Sequence, residues 1–422
     1  MEETEVVTCF LRSGVEVLLL RRSAGVGSYP GRWGGVAGHL APARGDPPRD
    51  PDAAARAEIR EETGIDPDGL DLVRRGDPLP VEDDDLGRRW VVHPHLFDCA
   101  GDRAVETDWE TADHEWVQPT AILDRETVPA LWETYRRVGP TVETVRADTA
   151  HGSAYLSLRA VEVLRDHAAA AAAQRGDTDL AALAGDLLAA RPAMTALRNR
   201  VNRTMARADP EPASVADTAR TVLADAATAD RAAAAAAADR IGGATVATIS
   251  RSGTVLAALR AGDPAEVLIG ESRPGREGVG VAEELAGECP VTLAPDAALP
   301  GLVERADAVL VGADSVLPDG GVRNKAGTYP LALAAARAGV PVYAAAAADK
   351  ISPDAESATE TADRADVYDG DAPLRVAAPL FEVTPADLVA GVVTEEGTLD
   401  AGDVRSVAER HRTLSDWNRD NK

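Results

Sequence analysis

Three glutamates, Glu58, Glu61 and Glu62, are spaced i, i+3 and i+4 in DAAARAEIREETGI, residues 52–65. On a helix they share one face. Like charges so placed repel one another, and a hard divalent cation such as Mg²⁺, which takes oxygen ligands alongside substrate phosphates, relieves the repulsion. A second group lies between Ala308 and Ala348, where Asp314, Asn324 and Lys325 occupy a Gly/Pro/Asp-rich segment between a short apolar run and a helical run opening near Thr328 and Pro330. Free N–H groups and the dipole at a helix start suit a phosphate. The chain has only three lysines, Lys325, Lys350 and Lys422, so the two internal ones stand out as ligand groups.

The elements that must hold these residues follow from pattern. Residues 5–22 alternate around Arg12-Ser13-Gly14 as a β-hairpin. The acidic segment is a helix, with Asp52 as a candidate cap and Gly64 as its stop, and strands are expected near Trp90–Phe97 and His114–Val117. From about residue 137 the chain is nearly continuous helix through Gln174 and on to Asp239. Pro192 at a helix's first turn would leave Arg191 at its positive end, placed for an anion. After residue 240 strands alternate with helices: Ala244–Ser250, the run before Glu271-Ser272-Arg273-Pro274, Cys289–Pro295, Ala308–Val311 and Val340–Ala346. Strands apolar throughout belong in a parallel sheet covered on both faces, and each polar cluster then falls at the strands' carboxyl ends. The expected class is α/β, closing on a Rossmann-like doubly wound sheet that lacks a G-x-G-x-x-G loop.

Composition narrows the function. The 422 residues carry 70 acidic and 44 basic side chains, a net charge of -26. Such a chain is adapted to high salt, as in halophilic archaea, and lacks the basic footprint of a general nucleic-acid binder. Cys9, Cys99 and Cys289 show no metal-ligand spacing, which suits a reducing cytoplasm. The N-terminus lacks the basic and apolar regions of a signal peptide, and the alanine tracts are too short and too weakly hydrophobic to span a bilayer. A soluble, cytoplasmic protein is expected.

Glu58, Ile59, Glu61, Glu62, Gly64 and Ile65 resemble the box of the Nudix hydrolases. Ala57 stands where that family has Arg, with Arg56 one residue earlier, and the spacer from Gly38 is longer than the family's. The resemblance implies an α/β/α sandwich and Mg²⁺- or Mn²⁺-dependent cleavage of a nucleoside diphosphate derivative, with Glu61 and Glu62 as leading metal ligands and Glu58 beside them. A second set of motifs, TISRSGTV, GESRPGREG, GADSVLPDGGVRNKAGTYPLALAA, DK-x-SP (Asp349 to Pro353) and FEVTPADLVAGVVTEEG, resembles in order and spacing the family of translation initiation factor 2B alpha, beta and delta subunits. That family also holds ribose-1,5-bisphosphate and methylthioribose-1-phosphate isomerases. The likeness implies a sugar-phosphate or nucleotide ligand, Asp314 as proton-exchanging acid, and phosphate contacts from Arg191, Ser252, Gly253, Arg273, Asn324, Lys325 and Lys350. The isomerase thiol falls on Ser250, and the family's Arg-Gly loop has become His151-Gly152. The implied organisation is a Nudix domain (residues 1–136), a helical part (137–240) and a Rossmann-like part (241–422), assembled as a homodimer or higher oligomer through the C-terminal domain.

Overall fold

A computed structural model describes residues 2–41, 47, 49–99, 103–174, 178–355 and 360–418. The chain divides into two compact units: Met1–Thr141 with Glu162–Leu180 and Pro210–Arg220, and Val142–Val161 with Ala181–Asp209 and Thr221–Lys422.

The first unit begins with β1 (Glu2–Ser13), β2 (Glu16–Arg22), β3 (Trp33–Gly34) and β4 (Val36–His39), followed by α1 (Pro51–Thr63). Next come β5 (Leu70–Arg75), β6 (Leu79–Asp83), β7 (Arg88–Cys99), β8 (Thr111–Val117) and α2 (Leu131–Arg136). All eight strands form one mixed sheet in which β1 runs parallel to β7 and antiparallel to β2 and β4. The hairpin pairs Arg12 with Val17 and Ser13 with Glu16, so Gly14, at φ 64°, takes the left-handed turn. Val7, Cys9 and Leu11 point to one face of β1 and pack with Ala54, Ala55 and Ile59 of α1. Phe10, from the opposite face, packs with Trp132 and Tyr135 of α2. This period-2 alternation at β1 lets one strand serve two apolar layers.

The cap of α1 corrects the sequence reading. Asp50, and not Asp52, caps it, its Oδ2 accepting from Asp52 N at 3.1 Å and Ala53 N at 3.3 Å. Pro51 occupies the first helical position, where its missing N–H costs nothing. Asp52 sits in the first turn instead, accepting from Arg75 Nε at 2.7 Å and lying 3.1 Å from His95 Nε2. Gly64 closes the helix at φ 69°, a backbone setting that favours glycine.

Among the described residues the helical segment comprises five helices: α3 (Val142–Ala147), α4 (Ser153–Ala172), α5 (Leu180–Ala190), α6 (Thr195–Arg207) and α7 (Pro212–Ala238). Then follow β9 (Thr245–Ile249), α8 (Gly253–Gly262), β10 (Glu266–Gly270), α9 (Glu277–Leu285), β11 (Val291–Ala294), α10 (Leu299–Leu302), β12 (Ala308–Gly312), β13 (Ser315–Val316), β14 (Val322–Lys325), α11 (Thr328–Ala338), β15 (Val342–Ala345), β16 (Phe381–Thr384), β17 (Gly391–Thr394), β18 (Gly397–Leu399) and α12 (Ala401–Leu414). A seven-stranded sheet runs β11-β10-β9-β12-β15-β17-β18, parallel at every pair but the last. The chain winds outward from β9 through β11, then restarts at β12 on β9's other side. The switch point between β9 and β12 is where an open α/β sheet leaves a crevice for ligand.

One segment read as loop is structured. β13 and β14 form an antiparallel hairpin, and β16 adds to β14 with Asn324 opposite Glu382 and Lys325 opposite Phe381. Asn324 and Lys325 are therefore strand residues. Among the described residues, no helix is long and apolar enough to cross a membrane.

Candidate functional sites

The three glutamates of α1 all line one cavity of about 510 Å³ in the first unit. Glu62 is buried at 8% exposure, Glu58 is half-buried and Glu61 is exposed. Burial pushes Glu58 up to about 7, with Glu61 adding to the shift and Arg49 opposing it. Glu62 is raised well above the usual carboxylate range, by burial first and by Glu58 second, against an N–H···O contact from Ala37 N at 3.4 Å. The carboxylates thus sense one another across a shared space, with burial taking the largest part. The close approach of Gly38 is part of this geometry, because a Cβ there would lie 1.9 Å from the Glu58 carboxyl carbon.

Arg22, Arg49 and Arg88 line the same cavity, as do Asp108 and Glu110. These five escaped the sequence reading because they come from β2, β7 and two loops, with no shared spacing to mark them. Arg56, next to the position where the Nudix box has Arg, donates to the Pro67 carbonyl and lies 5.6 Å from the Phe97 ring centroid. It is committed to holding the end of α1 rather than to the glutamates. Among the described residues, no three His, Cys, Asp or Glu side chains already close around a metal position.

The second cluster sits at the switch point. Ser250, at the tip of β9, has φ 68°, and its N–H donates to Ser272 Oγ at 2.7 Å; Ser272, at the tip of β10, has φ 67°. Asp296 fixes that second tip, accepting from Ser272 N and Arg273 N at 2.7 Å each. Two non-glycine residues in the left-handed region at adjacent strand ends persist only where neighbours hold them. Ser252 caps α8 through Val255 N at 3.4 Å, and Gly253 opens that helix. Gly312 at the end of β12 lets Ser252 approach, since a Cβ there would lie 2.6 Å from Ser252 Cβ and 4.0 Å from Asn324 Oδ1. Asn324 donates to Thr328 Oγ1 at 3.0 Å.

Asp314 follows β12, with its N–H on the Arg323 carbonyl at 2.9 Å. Lys350 follows β15 and donates to the Ala313 carbonyl at 2.7 Å. Burial raises the Asp314 carboxyl, opposed first by Lys350 and then by Arg323 and Lys325. Burial lowers the Lys350 ammonium, opposed by Asp314 and Asp230. Lys325, buried at 6% exposure, pairs with Glu277 at 2.5 Å. Lys350 is thus held at the residue preceding Asp314, whereas Lys325 is engaged by Glu277.

Beneath them lies a charge network that sequence reading missed. Arg200, at 1% exposure, donates from Nε to Asp349 at 2.8 Å and reaches Asp230 at 3.2 Å, while Arg203 donates to Asp349 at 2.6 Å. Burial alone would raise Asp349, but Arg200 and Arg203 outweigh it and hold the carboxyl at about 2. The DK pair was visible in the sequence; its arginine partners, some 150 positions upstream on α6, were not.

Two expected site residues go elsewhere. Arg191 follows the carbonyl end of α5, three residues short of the first turn of α6, and its guanidinium donates to the Val145 carbonyl at 2.9 Å and to that of Asp148. Its place is thus at a helix's negative end, where a cation is favourable but an anion is not. Arg273 is 63% exposed and lies 3.5 Å from Glu271. His151 stacks on Tyr155 with centroids 4.0 Å apart and lies 2.8 Å from Asp148.

Comparison with known proteins finds two families along the chain. Residues 2–138 match the NUDIX domain and residues 149–401 the Initiation factor 2 subunit family. A ribose 1,5-bisphosphate isomerase of Haloterrigena turkmenica is 34% identical over 303 residues, covering 61% of this chain and 91% of that protein. One of Archaeoglobus fulgidus is 31% identical, covering 61% and 88%. A crystal structure of Pyrococcus horikoshii translation initiation factor eIF-2B aligns with a TM-score of 0.52 at 27% identity, covering 61% of this chain and 94% of that one. The chain belongs to the Initiation factor 2 subunit family and carries a NUDIX domain ahead of the matched segment.

Proposed function

We propose that the N-terminal unit is a divalent-metal-dependent pyrophosphohydrolase, and that the C-terminal unit binds a sugar phosphate or nucleotide. The carrying observation is the set of three carboxylates around one cavity, two of them with raised pKa values, facing Arg22, Arg49 and Arg88. Hard oxygen donors whose mutual repulsion has no protein cation strong enough to cancel it fit Mg²⁺ or Mn²⁺. Glu61 and Glu62 would hold the ion with Glu58 beside them. When bound, such an ion polarises a phosphoryl oxygen and acidifies water. The arginines neutralise the phosphates and orient them, as planar guanidinium groups do. A nucleoside diphosphate linked to a second group is the substrate class the NUDIX match supports. In this reading residues 1–136 form the hydrolase domain, and 137–240 and 241–422 are the helical and sheet parts of the binding domain.

At the second site Ser252, Gly253 and Asn324 line the start of α8 and the crevice, with Lys325 and Lys350 supplying charge. Ser250 occupies the place of a thiol, and a hydroxyl has no accessible anion at neutral pH without a partner base. Binding without thiol-assisted turnover is the reading we favour. Aldose-to-ketose isomerisation is a second reading, favoured by Asp314, which burial holds toward its neutral form beside Lys350. We further propose a homodimer or larger assembly through the C-terminal unit, where Tyr329 and Leu333 of α11 and Val383 of β16 are exposed, and a cytoplasmic location, in keeping with three free cysteines.

The test uses full-length protein in high salt with Mg²⁺ and a panel of nucleoside diphosphate derivatives, followed by ³¹P NMR. Hydrolysis is expected, with a loss of about 10²-fold or more in Glu61→Gln. An inert wild type across the panel rules out the hydrolase. Conversion of ribose 1,5-bisphosphate to the ketose, lost in Asp314→Asn, would establish the second reading over the first.

A further inference from the structure

We infer that Glu277 occupies the place of a ligand phosphate at Lys325, so that an anion entering the C-terminal crevice must displace this carboxylate, and Glu277 thereby sets the affinity of the site. The inference rests on the ligand-binding reading of the C-terminal unit proposed above and adds to it a residue that reading leaves out.

Position carries the first step. Glu277 opens α9, which follows β10, and Lys325 ends β14, which follows β12. In the sheet β9 lies between β10 and β12. A Cβ on Gly327, two residues after Lys325, would lie 2.6 Å from Ile249 Cδ1, so the turn after β14 rests on the last residue of β9. The Lys325–Glu277 pair, 2.5 Å from Nζ to Oε1, therefore reaches across the carboxyl end of β9, at the switch point where an open α/β sheet takes its ligand. Lys325 is only 6% exposed, and a buried ammonium needs a counter-charge. Without a ligand the chain supplies its own.

The second step is how loosely that carboxylate is seated. Lys325 holds Oε1, but Oε2 is shielded from solvent and has no hydrogen-bond donor among the described residues, an unfavourable state for a buried acceptor. Asp349 shows the contrast, its two oxygens accepting three hydrogen bonds from Arg200 and Arg203. Glu277 also folds back over its own loop. A Cβ on Gly275 would lie 2.7 Å from Glu277 Oε1 and 3.0 Å from Oε2, so glycine at 275 leaves room for the carboxyl. Once displaced, the carboxylate remains in the first turn of α9, where negative charge is favourable, and its side chain is already 32% exposed. A phosphate offers several strong acceptor oxygens to the three donors of the ammonium. Exchanging one anion for the other keeps Lys325 paired and relieves the unsatisfied Oε2.

The test is calorimetric titration of full-length protein with inorganic phosphate, ribose 5-phosphate and AMP, at one high salt concentration and without divalent metal, so that the N-terminal site stays unloaded. Glu277→Gln removes the competing charge, whereas Gly275→Ala keeps the charge and pushes the carboxyl from its seat. Each should tighten binding, by about tenfold if the paired form makes up about nine-tenths of the unliganded protein. Lys325→Ala should weaken binding, and adding Glu277→Gln to it should gain nothing, as expected of two residues acting through one contact. Unchanged binding in both single variants overturns the inference, and weaker binding in both overturns it by making Glu277 a positioning residue for Lys325. Tightening in Glu277→Gln alone also overturns it, because net charge and not occupancy would then be the cause. If none of the three probes binds wild type or either variant, the ligand-binding reading itself falls, and the inference with it.

Discussion

Buried carboxylates meet opposite fates in the two units. On α1, Glu58 and Glu62 face other acids, and their charged forms are disfavoured. Beneath the switch point, Asp349 is buried more deeply yet held at about 2 by Arg200 and Arg203. Burial is the largest upward influence in each case, so the partners decide the outcome. A carboxylate whose charge the protein itself balances is part of the scaffold, whereas carboxylates crowded together beside an open cavity have a balance to receive from a ligand. Asp314 lies between the two: Lys350, Arg323 and Lys325 oppose the effect of burial, yet its carboxyl remains raised.

The contrast can be broken most sharply at Asp349. Asp349→Ala leaves Arg200 and Arg203 without their shared buried partner and should cost about 3–5 kcal/mol in denaturant unfolding; a loss below about 1 kcal/mol would mean that the network is not structural. Gly38→Ala should act next most strongly, because its new Cβ collides with the Glu58 carboxyl. Hydrolysis should fall about tenfold with Tm little changed, on the scale of a disturbed metal-ligand setting. The pH dependence follows from sign. Glu58, raised to about 7, and Glu62 contribute stability to the metal-free fold below the ordinary carboxylate range and lose it as pH rises through their folded values. Divalent ions need the deprotonated forms, so the Tm gain from Mg²⁺ should be greater at about pH 8 than at about pH 5.5. A gain independent of pH would place the ion elsewhere. Arg273→Gln, at an exposed pair, should change stability by no more than about 0.5 kcal/mol, with any effect confined to sugar-phosphate affinity.

Much of the fold was legible because its signals are local. The Gly14 turn, the Gly64 stop and the apolar run of β12 each need only a few neighbouring residues. Asp52 was misread as the cap because Pro51 takes the first helical position, which puts the cap at Asp50, two residues earlier. Asn324 and Lys325 were read as loop because β14 takes one of its two strand partners from Phe381–Thr384, far along the chain. Arg191 was misplaced because Pro192 marks a helix end as readily as a helix start, and here it follows α5. The α1 glutamates were legible because spacing puts them on one face; the arginines opposite come from separate strands and loops, and nothing in sequence links them. The Arg200–Asp349 pair was hidden for the same reason.

Titrating Mn²⁺ into full-length protein at about pH 8 and following free ion by electron paramagnetic resonance tests the central claim most directly. Wild type should bind the ion, Glu62→Gln should lose that binding while keeping its far-ultraviolet circular dichroism, and Asp314→Asn should bind as wild type does. Mn²⁺ affinity unchanged in Glu62→Gln, or lost in Asp314→Asn, would contradict the assignment of the cation to the carboxylates of α1.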